Sequence, residues 1–315
     1  MGYVITGIRA TGIPHLGNYV GSIKPIIGLQ NEHTFFQVVE DLHAVSHVKK
    51  ADILEQNILT ITACYLACGI NVEKSIIWRQ SQAKELTRIM SVLSACTSPE
   101  EVDELMDRQN NQGMDFLSYM YPLLMASDTL MVNADYVFVE VDHKNGLAFI
   151  KNLAERFNNM YGNILRVPSP IHPELKEMIK GLDGRKMSKS YNNTITILES
   201  EERLHELIMD SEGFTFTDEN VEKETLLSLL STFSSMEEYD SISASLKNNE
   251  IDCDGVREML FLSINKELNP IRKKFAEIIK HPDYIQNVLD NGLKKMREHS
   301  ESHIEKMLKA AGVYY

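Results

Sequence analysis

Apolar residues in the first two hundred positions come mostly in short continuous runs. Tyr3-Val4-Ile5, Thr34-Phe35-Phe36-Gln37-Val38-Val39, Lys74 to Trp78 and Tyr136-Val137-Phe138-Val139 are rich in β-branched and aromatic side chains. Such runs predict strands buried on both faces, as in a parallel sheet. Helical spacing fills the intervals. A helix is expected from about Gly17 to Gln30. A second opens at Asp52, with Glu55 three residues on in the manner of a capping box, and stops at Gly69 after Cys68. A third runs from His143 to Tyr161. Strands alternating with helices predict an α/β fold built on a doubly wound parallel sheet.

From Ser200 onward the pattern changes to amphipathic helical segments without a convincing strand: Glu222 to Phe233, Gly255 to Asn269, Ile271 to Lys280 and Asp283 to Ala311. This shift predicts a boundary near residue 195, with an α/β part over 1–195 and an all-helical part over 196–315. The sequence contains no internal repeat and no low-complexity segment.

At 315 residues and 35.9 kDa the chain is long enough for one large domain or two ordinary ones. It has no run of eighteen apolar residues, and its N-terminus enters a strand directly, so a cytoplasmic protein without a membrane span is expected. The formal net charge of −13 argues against coating nucleic acid by bulk electrostatics. It leaves room for a specific RNA partner on a local basic face. Arg272, Lys273, Lys274, Lys280, Lys294, Lys295, Arg297, Lys306 and Lys309 are the candidates, but interleaved acids make most of them ordinary solvated helix charges. Cys64, Cys68, Cys96 and Cys253 match neither a zinc ribbon nor a CxxC pair and read as small hydrophobes. No metal-ligating cluster is expected.

Ligands on a doubly wound sheet collect at the carboxyl ends of its strands. Here those ends carry Thr6 to Thr11, Glu40 to His43, and Glu140 to His143. The glycine-rich turn after the first strand leads to His15-Leu16-Gly17-Asn18, where a helix N-terminus and two neutral polar side chains make an anion site. Further on, Gly181-Leu182-Asp183-Gly184-Arg185-Lys186-Met187-Ser188-Lys189-Ser190 packs three cations and two hydroxyls into six residues. Lysine as point charge and serine as donor suit a clamp on a polyphosphate. Alone, a short basic run is an ordinary solvated turn. The first loop lacks the G-x-G-x-x-G of a dehydrogenase and the G-K-[ST] of a P-loop ATPase.

Together the two motifs resemble those of the class I aminoacyl-tRNA synthetases. His15-Leu16-Gly17-Asn18 stands as a variant of the HIGH sequence, and Lys186 to Ser190 matches KMSKS letter for letter. Asn18-Tyr19-Val20-Gly21-Ser22-Ile23, Glu40-Asp41-Leu42-His43-Ala44, Tyr121-Pro122-Leu123-Leu124-Met125-Ala126-Ser127-Asp128, Leu153-Ala154-Glu155-Arg156-Phe157-Asn158 and Asp210-Ser211-Glu212-Gly213 resemble the tryptophanyl members. The likeness covers nearly the whole chain.

The resemblance implies activation of tryptophan with ATP to an aminoacyl adenylate, then transfer to tRNA(Trp). It further implies Mg2+ carried by the nucleotide phosphates, a homodimer, and a helical part that binds the anticodon. His15, Asn18, Lys186 and Lys189 would act in catalysis. ATP would be held by Arg9, Ala10, Thr11, Gly17, Asn18, Glu140, Val141, Asp142, Lys186, Met187, Ser188, Lys189 and Ser190. The tryptophan pocket would be Ile5, Gly7, His43, Tyr121, Met125, Asp128, Val137, Val139 and His143, with Asp128 taking the indole N–H. Taken without its neighbours, Asp128 reads equally well as a helix cap.

The chain departs from the family at three places. Glu140-Val141-Asp142-His143-Lys144-Asn145-Gly146 replaces a Gly-x-Asp-Gln sequence, putting a bulky anion where the nucleotide ribose is expected. Asp107-Arg108-Gln109-Asn110-Asn111 stands where many relatives carry a lysine, and no phenylalanine lies near Ile5. Two other readings follow from these departures: a paralogue that passes an activated amino acid to another acceptor, and an inactive tryptophan or nucleotide sensor.

Overall fold

The computed structural model describes residues 2–106, 114–139, 144–172, 178–209 and 219–313. Five parallel strands form one sheet in the order β3-β2-β1-β4-β5: β1 Tyr3–Arg9, β2 Thr34–Glu40, β3 Ser75–Arg79, β4 Tyr136–Phe138 and β5 Ser169–Ile171. The predicted α/β class and its parallel sheet are observed. β5 carries no sequence signal, being three residues long with a proline in the middle. Its position at the edge of the sheet accommodates Pro170, which has no N–H for a ladder.

Register decides what each face carries, because paired residues in a parallel ladder point the same way. Ile5 pairs with Phe36 and Val137, Gly7 with Val38, and Arg9 with Glu40. Ile5, Gly7 and Arg9 therefore share one face with Phe36, Val38, Glu40 and Val137. On this face Ile5, Phe36, Val38 and Trp78 pack in a buried cluster that includes side chains of α2 (Glu85–Ser94), α3 (Tyr121–Met131) and α4 (Lys144–Tyr161). α1 (Ala51–Cys68) ends at Gly69, whose φ of 111° lies in the left-handed region that glycine adopts without penalty. It starts one residue before the expected Asp52, and no side chain caps it. Glu55 instead pairs with Arg79 at 2.7 Å, so the capping box is not formed.

The chain divides into two compact units. The first, residues 1–12, 25–174 and 281–315, contains the sheet. Its last element is a long helix, Pro282–Ala310, whose Met296, Ile304, Met307 and Leu308 join the sheet's core. The second unit, residues 13–24 and 175–280, is built on the helices Glu201–Met209, Glu219–Phe233, Met236–Lys247 and Cys253–Ile278. Leu226, Leu230, Val256, Leu260 and Ile264 are fully buried there. Arg257, 1% exposed, is also enclosed, donating to the Ile208 carbonyl at 2.6 Å and to Glu222 at 2.7 Å. Without such partners a buried guanidinium would be prohibitive.

The segments expected over 255–269 and 271–280 form one continuous helix that passes through Pro270. Proline removes one hydrogen bond, and the long flanking packing outweighs that loss. The helical stretch Leu16–Leu29 agrees with the expected one but includes a π-turn at Tyr19–Ile23. That turn precedes Pro25, which has no N–H for the regular ladder. No helix among the described residues is long and apolar enough to cross a membrane.

Candidate functional site

The carboxyl end of the sheet in the first unit holds a polar nest inside apolar walls. Asp128, His43 and Gln80 are all buried, at 3%, 4% and 0% exposure. On α3, Tyr121, Met125 and Asp128 fall at i, i+4 and i+7, one helix face. Across from them, His43 sits in the short helix that follows β2, its ring centroid 4.6 Å from that of Tyr121.

Gln80, in the turn after β3, ties these side chains together. Its Oε1 accepts from the Leu42 and His43 amides at 3.1 and 3.4 Å, which fixes the orientation of the side-chain amide. Its Nε2 then donates to Asp128 Oδ2 at 2.5 Å and to His43 Nδ1 at 3.0 Å. With Nδ1 accepting, the proton of neutral His43 belongs on Nε2. Burial holds the imidazole pKa down at about 4, with Arg9 adding to it and the Tyr121 backbone opposing it. Asp128 is pushed well above the usual carboxylate range by burial and then by Glu40, against the pull of Gln80. Among the described residues, the buried Asp128 Oδ1 and His43 Nε2 meet no side-chain or backbone group with hydrogen-bond geometry. Unsatisfied buried polar atoms are costly, and a pocket is where they persist.

Several residues that the sequence singled out lie on this face of the sheet. Ile5, Gly7 and Val137 share the α3 face of the sheet through the register given above, and Val139 lies just past β4, its amide donating to the Ile171 carbonyl at 3.0 Å. Gly7 is exposed, and the Glu40 carboxyl occupies the place its Cβ would take. In the turn beyond β1, the Ala10 amide donates to the Glu40 carbonyl at 3.2 Å and the Thr11 amide to the Arg9 carbonyl at 2.8 Å. These two amides are engaged within the chain.

The second unit holds both signature motifs. Residues 14–16 pair with 195–197: Leu16 N–H donates to the Ile195 carbonyl at 2.9 Å and Ile197 N–H to the Pro14 carbonyl at 3.0 Å. His15 Nδ1 accepts from the Asn18 amide at 3.3 Å while Asn18 Oδ1 accepts from the His15 amide at 3.2 Å, a reciprocal cap. The imidazole proton is thereby left on Nε2. Burial, with Lys189 and Lys186 adding to it, lowers the His15 pKa to about 4, so the ring is a neutral donor at pH 7. A Cβ at Gly17 would come within 2.9 Å of the His15 ring, which accounts for glycine there.

The Lys186 to Ser190 loop is held from behind by Asn193, which is 1% exposed. Asn193 Nδ2 donates to Asp183 at 2.7 Å and to the Lys186 carbonyl at 3.0 Å, and its Oδ1 accepts from the Ser188 amide at 2.8 Å. Gly181 makes room for it, since a Cβ there would meet Asn193 Nδ2 at 2.5 Å. Met187 is buried at 2% and anchors the loop, while Lys186, Lys189 and Ser190 are exposed.

A family model described as tRNA synthetases class I (W and Y) matches residues 3–297. The chain belongs to this family. The synthetase is 30% identical over 335 residues to a tryptophan–tRNA ligase of Neisseria meningitidis, covering 98% of this chain and 97% of that one. With the corresponding ligase of Fusobacterium nucleatum it shares 29% identity over 320 residues, at the same coverage. Among solved structures, tryptophanyl-tRNA synthetase from Campylobacter jejuni, complexed with ADP and tryptophan, superposes with a TM-score of 0.85. It is 26% identical, over 98% of this chain and 99% of that one. The Mycoplasma pneumoniae enzyme, at 23% identity and a TM-score of 0.86, shares the fold.

Within the synthetase, the structure brings Ile5, Gly7, His43, Tyr121, Met125, Asp128, Val137 and Val139 to one end of the sheet. It groups His15, Gly17, Asn18, Lys186, Met187, Ser188, Lys189 and Ser190 in the second unit. Glu140, Val141, Asp142 and His143 lie outside the described residues, as does the 107–111 segment. Sequence reasoning missed Gln80 and Asn193, which touch the expected site residues and hold them. Gln80 directly after a strand end was the available signal; Asn193 had none.

Proposed function

We propose that the chain is a tryptophan–tRNA ligase, activating tryptophan with ATP and transferring it to tRNA(Trp). The observation that carries this reading is the buried Oδ1 of Asp128, which has no hydrogen-bond partner among the described residues and lies on a helix whose Leu124 and Met131 belong to the buried apolar cluster. It can accept the indole N–H, and phenylalanine would leave it unpaired. The membership of the chain and the names of its relatives support the same choice.

In this reading the substrate carboxylate attacks the α-phosphorus of ATP and pyrophosphate leaves. A terminal hydroxyl of the tRNA then attacks the acyl carbon and displaces AMP. Placement and charge stabilisation do the work. Lys186 and Lys189 meet the negative charge that moves onto pyrophosphate, and His15, held neutral, donates from Nε2 to a phosphate oxygen. Gly17 and Asn18 keep that imidazole in position. Mg2+ would be bound through the nucleotide phosphates, which bridge it without a protein cage. We assign the helices of 196–315 a role in tRNA binding, and the enzyme a cytoplasmic, homodimeric form.

ATP–pyrophosphate exchange across the twenty amino acids tests the reading, with Lys189→Ala as control. Exchange driven by tryptophan alone, and reduced on the order of a hundredfold in the variant, is expected. No exchange with any amino acid overturns it. Adenylate formation without charging of tRNA redirects it to another acceptor.

A further inference from the structure

The tryptophan pocket contains an acid that the indole does not need. Glu40 ends β2, and register with Arg9 places it on the same sheet face as Gly7 and α3. A Cβ on Gly7 would overlap Glu40 Oε1, so the carboxyl lies directly over the exposed glycine. Its Oε2 is 3.6 Å from His43 Nδ1, and its side chain is 14% exposed, at the rim of the pocket rather than its foot. Arg9 is its register partner, yet no ion pair joins them among the described residues. Two carboxyls thus lie about one neutral histidine, Glu40 directly and Asp128 through Gln80.

We propose that Glu40 is a substrate-binding residue that receives the α-ammonium group of the amino acid, working with Asp128 so that the pocket selects a ligand carrying two separate N–H donors. The inference rests on the tryptophan reading above. Asp128 lies deep among apolar side chains, which suits the neutral indole N–H. Glu40 lies at the partly wet rim, which suits a strongly hydrated ammonium. Gly7 completes the arrangement, since any side chain there would displace the Glu40 carboxyl.

Ionisation bears on the same point. The groups that act on Glu40 are Arg9 from β1, His43 from the short helix after β2, and Asp128 from α3, while the neighbouring Asp41 is engaged by Arg79 and Ser81. Burial raises the Glu40 pKa to about 7, against the pull of Arg9. Near neutral pH a share of the molecules therefore holds a proton there, and an arriving ammonium expels it.

Calorimetric titration of the full chain tests this with two ligands: L-tryptophan, and indole-3-propionate, which keeps the ring and the carboxylate but has no ammonium. Glu40→Gln should weaken tryptophan by about ten- to a hundredfold and leave indole-3-propionate unchanged. Glu40→Val provides a second variant, and thermal melting verifies that both are folded. Repeating the wild-type titration at pH 7 in buffers of different ionisation enthalpy should show proton release with tryptophan and none with indole-3-propionate. Equal losses for both ligands would make Glu40 a structural residue and overturn the inference, as would no loss for either. Failure of the wild type to bind tryptophan at all, by contrast, overturns the ligase reading and this inference together.

Discussion

Gln80 Nε2 donates to Asp128 Oδ2 across 2.5 Å, and the same amide orients His43 from 3.0 Å. One side chain, itself fixed by two backbone amides, thereby sets the protonation pattern of the pocket. Asp128 Oδ1 and His43 Nε2 are the buried atoms of this group left without a hydrogen-bond partner among the described residues. The selectivity expected of Asp128 is therefore a property of the pair rather than of the carboxylate alone.

Gln80→Ala should raise the KM for tryptophan in pyrophosphate exchange by about tenfold or more, the effect of leaving a buried carboxyl without its donor. The KM for ATP should not move. Gln80→Glu should be worse than alanine, because it adds a further carboxyl to the buried group of Asp128, Glu40 and Asp41. A tryptophan KM unchanged in both variants would remove Gln80 from the account.

Gly292 lies inside the long C-terminal helix, where a Cβ would overlap the Ile77 carbonyl of β3. Glycine in a helix interior is unfavourable by itself, so close backbone approach is its reason here. Gly292→Ala should therefore destabilise the protein, by about 1–3 kcal/mol or more, against the usual gain from alanine in a helix. Thermal unfolding should show a Tm lowered by several degrees; a raised Tm would contradict the packing.

Much of the fold could be read because the first four strands are short, apolar and separated by helical spacing. The fifth was silent because three residues around Pro170 carry no period. The two motifs and Asp128 were legible because they combine unusual residue types in fixed order. Gln80 and Asn193 were not, since a single polar amide says nothing until its buried partners are known. Pro270 misled for a related reason: local propensity ended the helix there, and packing of its flanks continued it. The C-terminal helix likewise read as one more amphipathic segment, while its apolar face belongs to the core of the sheet unit.

Asn193 holds the lysine loop by three hydrogen bonds, so Asn193→Ala should act on the loop rather than on amino-acid binding. The rate of tryptophan-dependent pyrophosphate exchange should fall by about ten- to a hundredfold, as expected when charged groups lose their placement. Binding of tryptophan alone, measured by calorimetry without ATP, should stay at the wild-type value. A large loss of tryptophan affinity in that variant would show that the effect is a general loss of folding.

Stability should depend on pH in two opposed ways. His15 and His43 have folded pKa values of about 4, below the ordinary 6.5, so their contribution is present above pH 6.5 and is lost as pH falls towards 4. Glu40 behaves in the reverse sense. Its folded value of about 7 lies above the ordinary 4.5, so its contribution is present below pH 4.5 and is lost as pH rises through 7. That loss amounts to at most about 3 kcal/mol. Glu40→Gln removes the titration and leaves the histidines in place. Denaturant unfolding of the two proteins should therefore diverge between pH 4.5 and 7, with the variant gaining on the wild type as pH rises. Below pH 4.5 the difference between them should become constant. Parallel curves across the whole range would mean that the Glu40 carboxyl titrates normally, and that the rim of the pocket is wetter than its burial implies.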